Sequence, residues 1–145
     1  MSEWKITYRG IVYPWQCDHM GHMNVMWYSG KFDEACWQLL SMLGLNPERF
    51  AEDGTAMAAV EQQIQYKREL RAGDAVTVQS ALLEMKDKSI RMLHKMMNDA
   101  TGEVAAMTVV VGVHIDAMLR TAIRIPEDVR EKALQMKEHE FASLR

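Results

Sequence analysis

Between Val25 and Leu43 the apolar side chains Val25, Tyr28, Phe32, Ala35, Cys36, Leu39, Leu40 and Leu43 recur at three- and four-residue spacing. That period puts them on one stripe of an α-helix about five turns long, and so long a stripe must be covered by another layer. Asn24 before it is a good N-cap and Gly44 after it a good C′ residue, so the spacing predicts a helix over 25–43. The rest of the chain supplies the cover. Residues 4 to 12 alternate, with Trp4, Ile6 and Tyr8 set against Lys5, Thr7 and Arg9, and stop before Pro14. Residues 57 to 70 alternate in part. Gly73-Asp74 leads into Ala75–Met85, Lys86-Asp87 into Ser89–Met97, and the turn from Asp99 to Gly102 into Val104–Ile115. Strands joined by turns this short pair antiparallel. After Pro126, the acidic pair Glu127 and Asp128 opens a short helix carrying Val129, Ala133 and Leu134. The expected order is strand, loop, long helix, four strands, short helix. This is an α+β chain in which an antiparallel sheet curls around one helix.

No repeat, linker or low-complexity tract divides the 145 residues, so a single domain over 1–145 is expected. The formal net charge of −3 lacks the basic footprint that nucleic acid requires. No apolar run approaches a membrane span, and Met-Ser-Glu-Trp-Lys opens no secretory signal. Cys17 and Cys36 make neither a disulfide framework nor a CxxC pair, which places the chain in the reducing cytoplasm. The strand-rich second half leaves a sheet edge open, and closing it edge to edge with a second copy predicts a homodimer or homotetramer. Thirteen methionines read as adaptable core filling.

The chemistry concentrates in Gln16 through Tyr28. Asp18, His19 and His22 lie in an irregular segment just before the helix, where free backbone N–H groups carry partial positive charge. A carboxylate beside such donors is a minimal kit for cleaving an activated acyl group: the acid attacks or activates water while the amides hold the carbonyl oxygen. An Asp at such a place more often forms a turn or cap, and spacing alone leaves the choice open. Cys17, Asp18, His19 and His22 are all metal-ligand types, but that many ligands from six consecutive residues crowd a tetrahedral ion, so no metal is expected.

Asp18-His19-Met20-Gly21-His22-Met23-Asn24, followed by Tyr28 and Phe32-Asp33-Glu34-Ala35, resembles the hotdog acyl-CoA thioesterases of the 4-hydroxybenzoyl-CoA thioesterase type. Ile64-x-Tyr66, Leu70-x-x-Gly73-Asp74 and Ile125-Pro126 extend the likeness over nearly the whole chain. The resemblance implies a single hotdog domain that hydrolyses an acyl-CoA, with coenzyme A entering as part of the substrate and no separate cofactor. It implies that Asp18 is the catalytic carboxylate and that the backbone N–H near Val25 polarises the thioester carbonyl. Gly21 would let the loop bend towards the substrate, while His22 and Asn24 order the loop and cap the helix. Gln16 stands where many members carry a second acid, and Val25 replaces the second Asn of the usual pair.

Further substrate contacts are expected from Tyr28 and Tyr66, with Trp27 and Met57, around the acyl group. Glu61, on the polar face of a strand, is the reserve acid. Asp33 flanks the helix stripe and is expected to buttress the loop. For the phosphates of coenzyme A the basic candidates are Lys88 and Arg91, with Lys86 and Lys95 beside them, and Lys67, Arg68 and Arg71 on another turn. Two alternatives share the fold. One is a binding module for acyl-CoA without chemistry, which has no need of Asp18. The other is an enoyl-CoA hydratase, whose Asp-x-Asn-Pro-x-His pattern is poorly matched by Met20-Gly21 and by His22 four residues after Asp18.

Overall fold

A computed structural model of the protein describes residues 4–136. Strand β1 (Lys5–Ile11) leads through a 3₁₀ turn at Pro14–Gln16 to helix α1 (Val25–Met42). Helix α2 (Pro47–Asp53), strands β2 (Thr55–Tyr66), β3 (Ala75–Met85), β4 (Ser89–Asn98) and β5 (Val104–Asp116), and helix α3 (Glu127–Met136) follow. The five strands form one fully antiparallel sheet in the order β1-β3-β4-β5-β2.

Helix α1 starts where its sequence says it should. The Asn24 side chain accepts the N–H of Met26 at 3.0 Å, and Leu43 ends the helix ahead of Gly44 at φ +94°. Phe32, Ala35, Leu39 and Leu40 are buried along its stripe. The sheet meets them with alternate residues. Val76 and Val78 of β3 and Met96 of β4 pack around Phe32, while Leu82, Ile90, Met92 and Val110 pack around Leu39 and Leu40. Ile125 and, from α3, Val129 and Ala133 close the second cluster. Burial of side chains of this kind stabilises by roughly 1.5–3 kcal/mol each.

Helix α2 is the element absent from the expected order. The short segment carries little periodicity, yet its punctuation is complete: Asn46 accepts the N–H of Arg49 at 2.9 Å, Pro47 opens the helix, and Gly54 closes it at φ +66°. Its Arg49 forks onto Asp128 at 2.8 and 2.9 Å, tying α2 to α3. The expected second strand also stops short, at Tyr66 rather than residue 70, because residues 67–70 turn away to hold the segment before α1.

One polar row crosses the core side of the sheet. Thr7 Oγ1 meets Ser80 Oγ at 2.7 Å, and Ser80 Oγ meets His94 Nδ1 at 2.5 Å. His94 is fully buried, and loss of water pushes its pKa down to about 3, so the ring is neutral. Four methionines, Met23, Met92, Met96 and Met136, join the core, whereas Met20, Met26, Met42 and Met118 are exposed.

Candidate functional site

The segment between the 3₁₀ turn and α1 is a tight hairpin. Cys17 bridges Met23, the N–H of Asp18 donates to the His22 carbonyl at 2.9 Å, and the N–H of Gly21 donates to the Asp18 carbonyl at 3.0 Å. Gly21 sits at φ +83°, and a Cβ there would meet nothing within 4 Å, so the turn itself demands glycine rather than any close neighbour. One Asp18 carboxylate oxygen accepts the N–H of Met20 at 2.8 Å. Gln16 is buried beneath: its Oε1 accepts the Tyr13 N–H at 3.0 Å and its carbonyl accepts the Asn24 N–H at 2.8 Å. A neutral amide thus does local structural work where an acid occurs in the pattern that the sequence resembles.

The start of α1 leaves the Val25 donor over. Asn24 takes the N–H of Met26 on its side chain and that of Trp27 on its carbonyl, at 3.0 and 2.9 Å. Among the described residues no acceptor meets the N–H of Val25. Val25 is 57% exposed and lines an open cleft of about 290 Å³ together with His22, Met23, Tyr28, Tyr66, Lys67, Arg68 and Glu69. Tyr28 and Tyr66 meet edge to face at 5.2 Å. The Tyr28 hydroxyl donates to the Arg68 carbonyl at 3.2 Å, and burial pushes its pKa up to about 12, so it stays protonated. His22 Nε2 lies 2.9 Å from the Glu69 carboxylate.

A second space, a narrow groove of about 80 Å³, opens between α1 and β2. Ser29, Asp33 and Trp37 form one ridge along its helix side, and Met57, Ala59 and Gln62 form the strand side. Its floor depends on Gly112, where a Cβ would press on Met57 Sδ at 3.2 Å. Cys36 also lines it; burial pushes this thiol up to about 12, which removes it as a nucleophile near neutral pH.

The structure therefore brings together His22, Val25, Tyr28 and Tyr66, with Asn24 capping the same helix start and Asp18 opposite His22 across the hairpin mouth. Asp18 lines neither cleft itself. Trp27 packs half-buried against the apolar cluster around Phe32 and Met57 belongs to the groove, so the four expected acyl contacts are divided between separate places. Asp33 faces the groove rather than the hairpin. Glu61 is exposed on the edge strand β2, next to the bulge at Val60. Lys88, in the β3–β4 turn, and Arg91, opposite Glu84 on β4, lie at the far end of the sheet. The hairpin abuts the other end, near Leu70 and Val12, and the length of β3 between them spans roughly 30 Å. One chain does not unite Lys88 or Arg91 with Asp18; Lys67 and Arg68 are the basic residues at the cleft. Sequence reasoning missed Glu69, because only the tertiary pairing of residues 68–70 with the hairpin gives it a partner. Among the described residues no cluster of three or more His, Cys, Asp or Glu side chains is arranged to hold a metal ion, and no helix is long and apolar enough to cross a membrane.

With an antiparallel sheet wrapped on one helix and a polar hairpin at that helix's start, the chain belongs to the thioesterase-like superfamily, whose family model matches residues 12–133. Curated relatives are more specific in name. The chain is 29% identical over 109 residues to an L-carnitine dehydrogenase/betainyl-CoA thioesterase of Agrobacterium fabrum, a match covering 75% of this chain and 22% of that protein. It is 24% identical over 115 residues to a betainyl-CoA thioesterase of Pseudomonas aeruginosa, covering 79% and 72%. The chain thus spans about a fifth of the length of the first of these relatives. Among solved structures, a gentisyl-coenzyme A thioesterase aligns at TM-score 0.76 and 27% identity, over 87% of this chain and 99% of that one. A Staphylococcus aureus protein solved in complex with CoA aligns at TM-score 0.88 over 99% and 92%, and at 18% identity it is similar in fold.

Proposed function

We propose that this protein hydrolyses an acyl-CoA thioester at the mouth of the 17–23 hairpin. The observation that carries the reading is the uncommitted Val25 N–H at the start of α1, in a cleft next to the hairpin that holds Asp18. The thioester carbonyl oxygen accepts from that amide, where helix-start charge favours the developing oxyanion. Asp18 supplies the carboxylate, as nucleophile or as base for water. The carbonyl carbon gains a C–O bond from water or from the Asp18 carboxylate, the C–S bond breaks, and the thiolate takes up a proton that comes from water to leave as free coenzyme A. In the nucleophilic case water then cleaves the acyl–Asp18 anhydride, releasing the carboxylic acid and restoring Asp18. Lys67 and Arg68 on the cleft rim suit its phosphates.

Release of thiol from a panel of acyl-CoAs tests the reading. Turnover that falls about a hundredfold in Asp18→Asn, with binding retained, supports it. Binding without any thiol release would leave a carrier module, and hydration of an enoyl-CoA without thiol release would make it a hydratase.

The groove bears on the acyl group. Asp33 carries the one charge among its lining residues, and Phe32, Trp37, Met57 and Met92 supply aromatic and thioether walls. A carboxylate with aromatic faces favours a cation wrapped in methyl groups. That matches the betainyl group in the relatives' names, ahead of the aromatic acyl groups of the 4-hydroxybenzoyl-CoA type. The discriminating pair is betainyl-CoA and its uncharged isostere 3,3-dimethylbutyryl-CoA: a preference for the cation that Asp33→Asn abolishes supports this choice. The open edge of β2, exposed from Ala59 to Gln63, is the surface along which we place a second copy in a homodimer, or in each half of a tetramer.

A further inference from the structure

Three consecutive residues after β2 hold the hairpin and the start of α1 in place, and they do so by different means. The Arg68 and Leu70 carbonyls accept from Tyr28 Oη at 3.2 Å and from the Met23 N–H at 2.7 Å. These are main-chain acceptors, which a change of side chain at 68 or 70 leaves in place. Between them the contact is made by a side chain: the Glu69 carboxylate meets His22 Nε2 at 2.9 Å. His22 in turn is the residue whose carbonyl accepts the N–H of Asp18 at 2.9 Å. A carboxylate only accepts, so the imidazole must present a proton on Nε2; in the neutral ring Nδ1 is then bare. A ring held at one nitrogen is restricted in its tautomer and reach, and here it belongs to the residue facing Asp18 across the hairpin mouth.

We infer that Glu69 is a positioning residue, which through His22 Nε2 fixes the imidazole tautomer and the seating of the hairpin that carries Asp18. The inference rests on the thioesterase reading for its kinetic consequence and on the structure alone for its tautomer consequence. Glu69 is itself largely exposed, with 64% of its side chain accessible, so its replacement leaves the core untouched. What it controls is orientation, and orientation shows in turnover more than in affinity.

The experiment compares Glu69→Ala with Glu69→Gln on the full chain, by imidazole ¹H–¹⁵N correlation spectra and by steady-state hydrolysis of the best acyl-CoA from the panel. Wild type should show His22 protonated on Nε2. Glu69→Ala should give a mixture of tautomers and lower kcat roughly three- to tenfold with KM within about twofold. Glu69→Gln, whose amide oxygen still accepts, should keep the Nε2 proton and recover most of kcat. An unmoved tautomer in Glu69→Ala, or an unchanged kcat, overturns the inference. So does a Glu69→Gln variant that keeps the tautomer but is as slow as Glu69→Ala, because charge rather than position would then be what matters. Should wild type release no thiol from any acyl-CoA, the hydrolase reading fails by itself, and the spectra still decide whether Glu69 governs His22.

Discussion

The two ends of α1 are held by different physics. At its C-terminal end Leu39, Leu40 and Leu43 are sealed among Leu82, Ile90, Ile125 and Val129, and nearly every contact is apolar. At its N-terminal end Met23, Tyr28 and Phe32 also sit in an apolar cluster, with Val76, Val78 and Met96, but the hairpin above it is hung in addition on directional bonds: Met23 to Leu70 and Asp18 to His22, with Asn24 to Met26 and Tyr28 to Arg68 beside them. Apolar packing tolerates small displacements but is costly to hollow out, whereas a hydrogen-bonded hairpin contributes little stability and fixes position closely. Stability should therefore reside at one end and turnover at the other.

Substitutions can separate the two. Leu39→Ala should lower the free energy of unfolding by about 3 kcal/mol in urea titration, with thiol release per folded molecule unchanged. Asp18→Asn should do the reverse: turnover falls about a hundredfold, close to 2.7 kcal/mol in the barrier, while the urea midpoint stays put. A matching loss of stability in Asp18→Asn would mean the hairpin is structural and would break the contrast.

The buried His94 adds a pH dependence of its own. Its folded pKa, about 3, lies below the ordinary value of 6.5, so between these limits the unfolded chain binds a proton that the folded chain does not. Stability from this group is complete above pH 6.5 and drains away as pH falls towards 3. Near pH 5 the loss should be about 2 kcal/mol relative to pH 8, and His94→Gln should flatten that slope in urea titrations at the two pH values. The smallest effect belongs to the cap. Asn24→Ala should cost about 1 kcal/mol, and Asn24→Asp close to nothing, by thermal melts.

The same contrast explains what could be read from the chain. The apolar end of α1, its cap, its terminating glycine and the limits of β3 follow from period and punctuation, and the structure reproduces them to within a residue or two. Helix α2 was legible in Asn46, Pro47 and Gly54 but is too short for periodicity to mark. Strand order was not legible, since the pairing of β1 with β3 and of β2 with β5 is decided by tertiary packing. Neither was the company each side chain keeps at the site. Nothing local says that Glu69 meets His22, that Asp33 lines a groove shared with Met57 and Gln62 of β2, or that Lys88 and Arg91 lie a sheet's length from Asp18.

The sheet order also bears on synthesis. On the ribosome β2 emerges early, yet the strand that lies beside it in the finished sheet is β5, which is translated only after two further strands. Through that interval a nascent ribbon with Val60 and Ile64 among its side chains has no neighbour in its own molecule. Vectorial assembly thus leaves a sticky ribbon waiting for β5, and substitutions that weaken β5 should show first as poor soluble yield rather than as poor turnover.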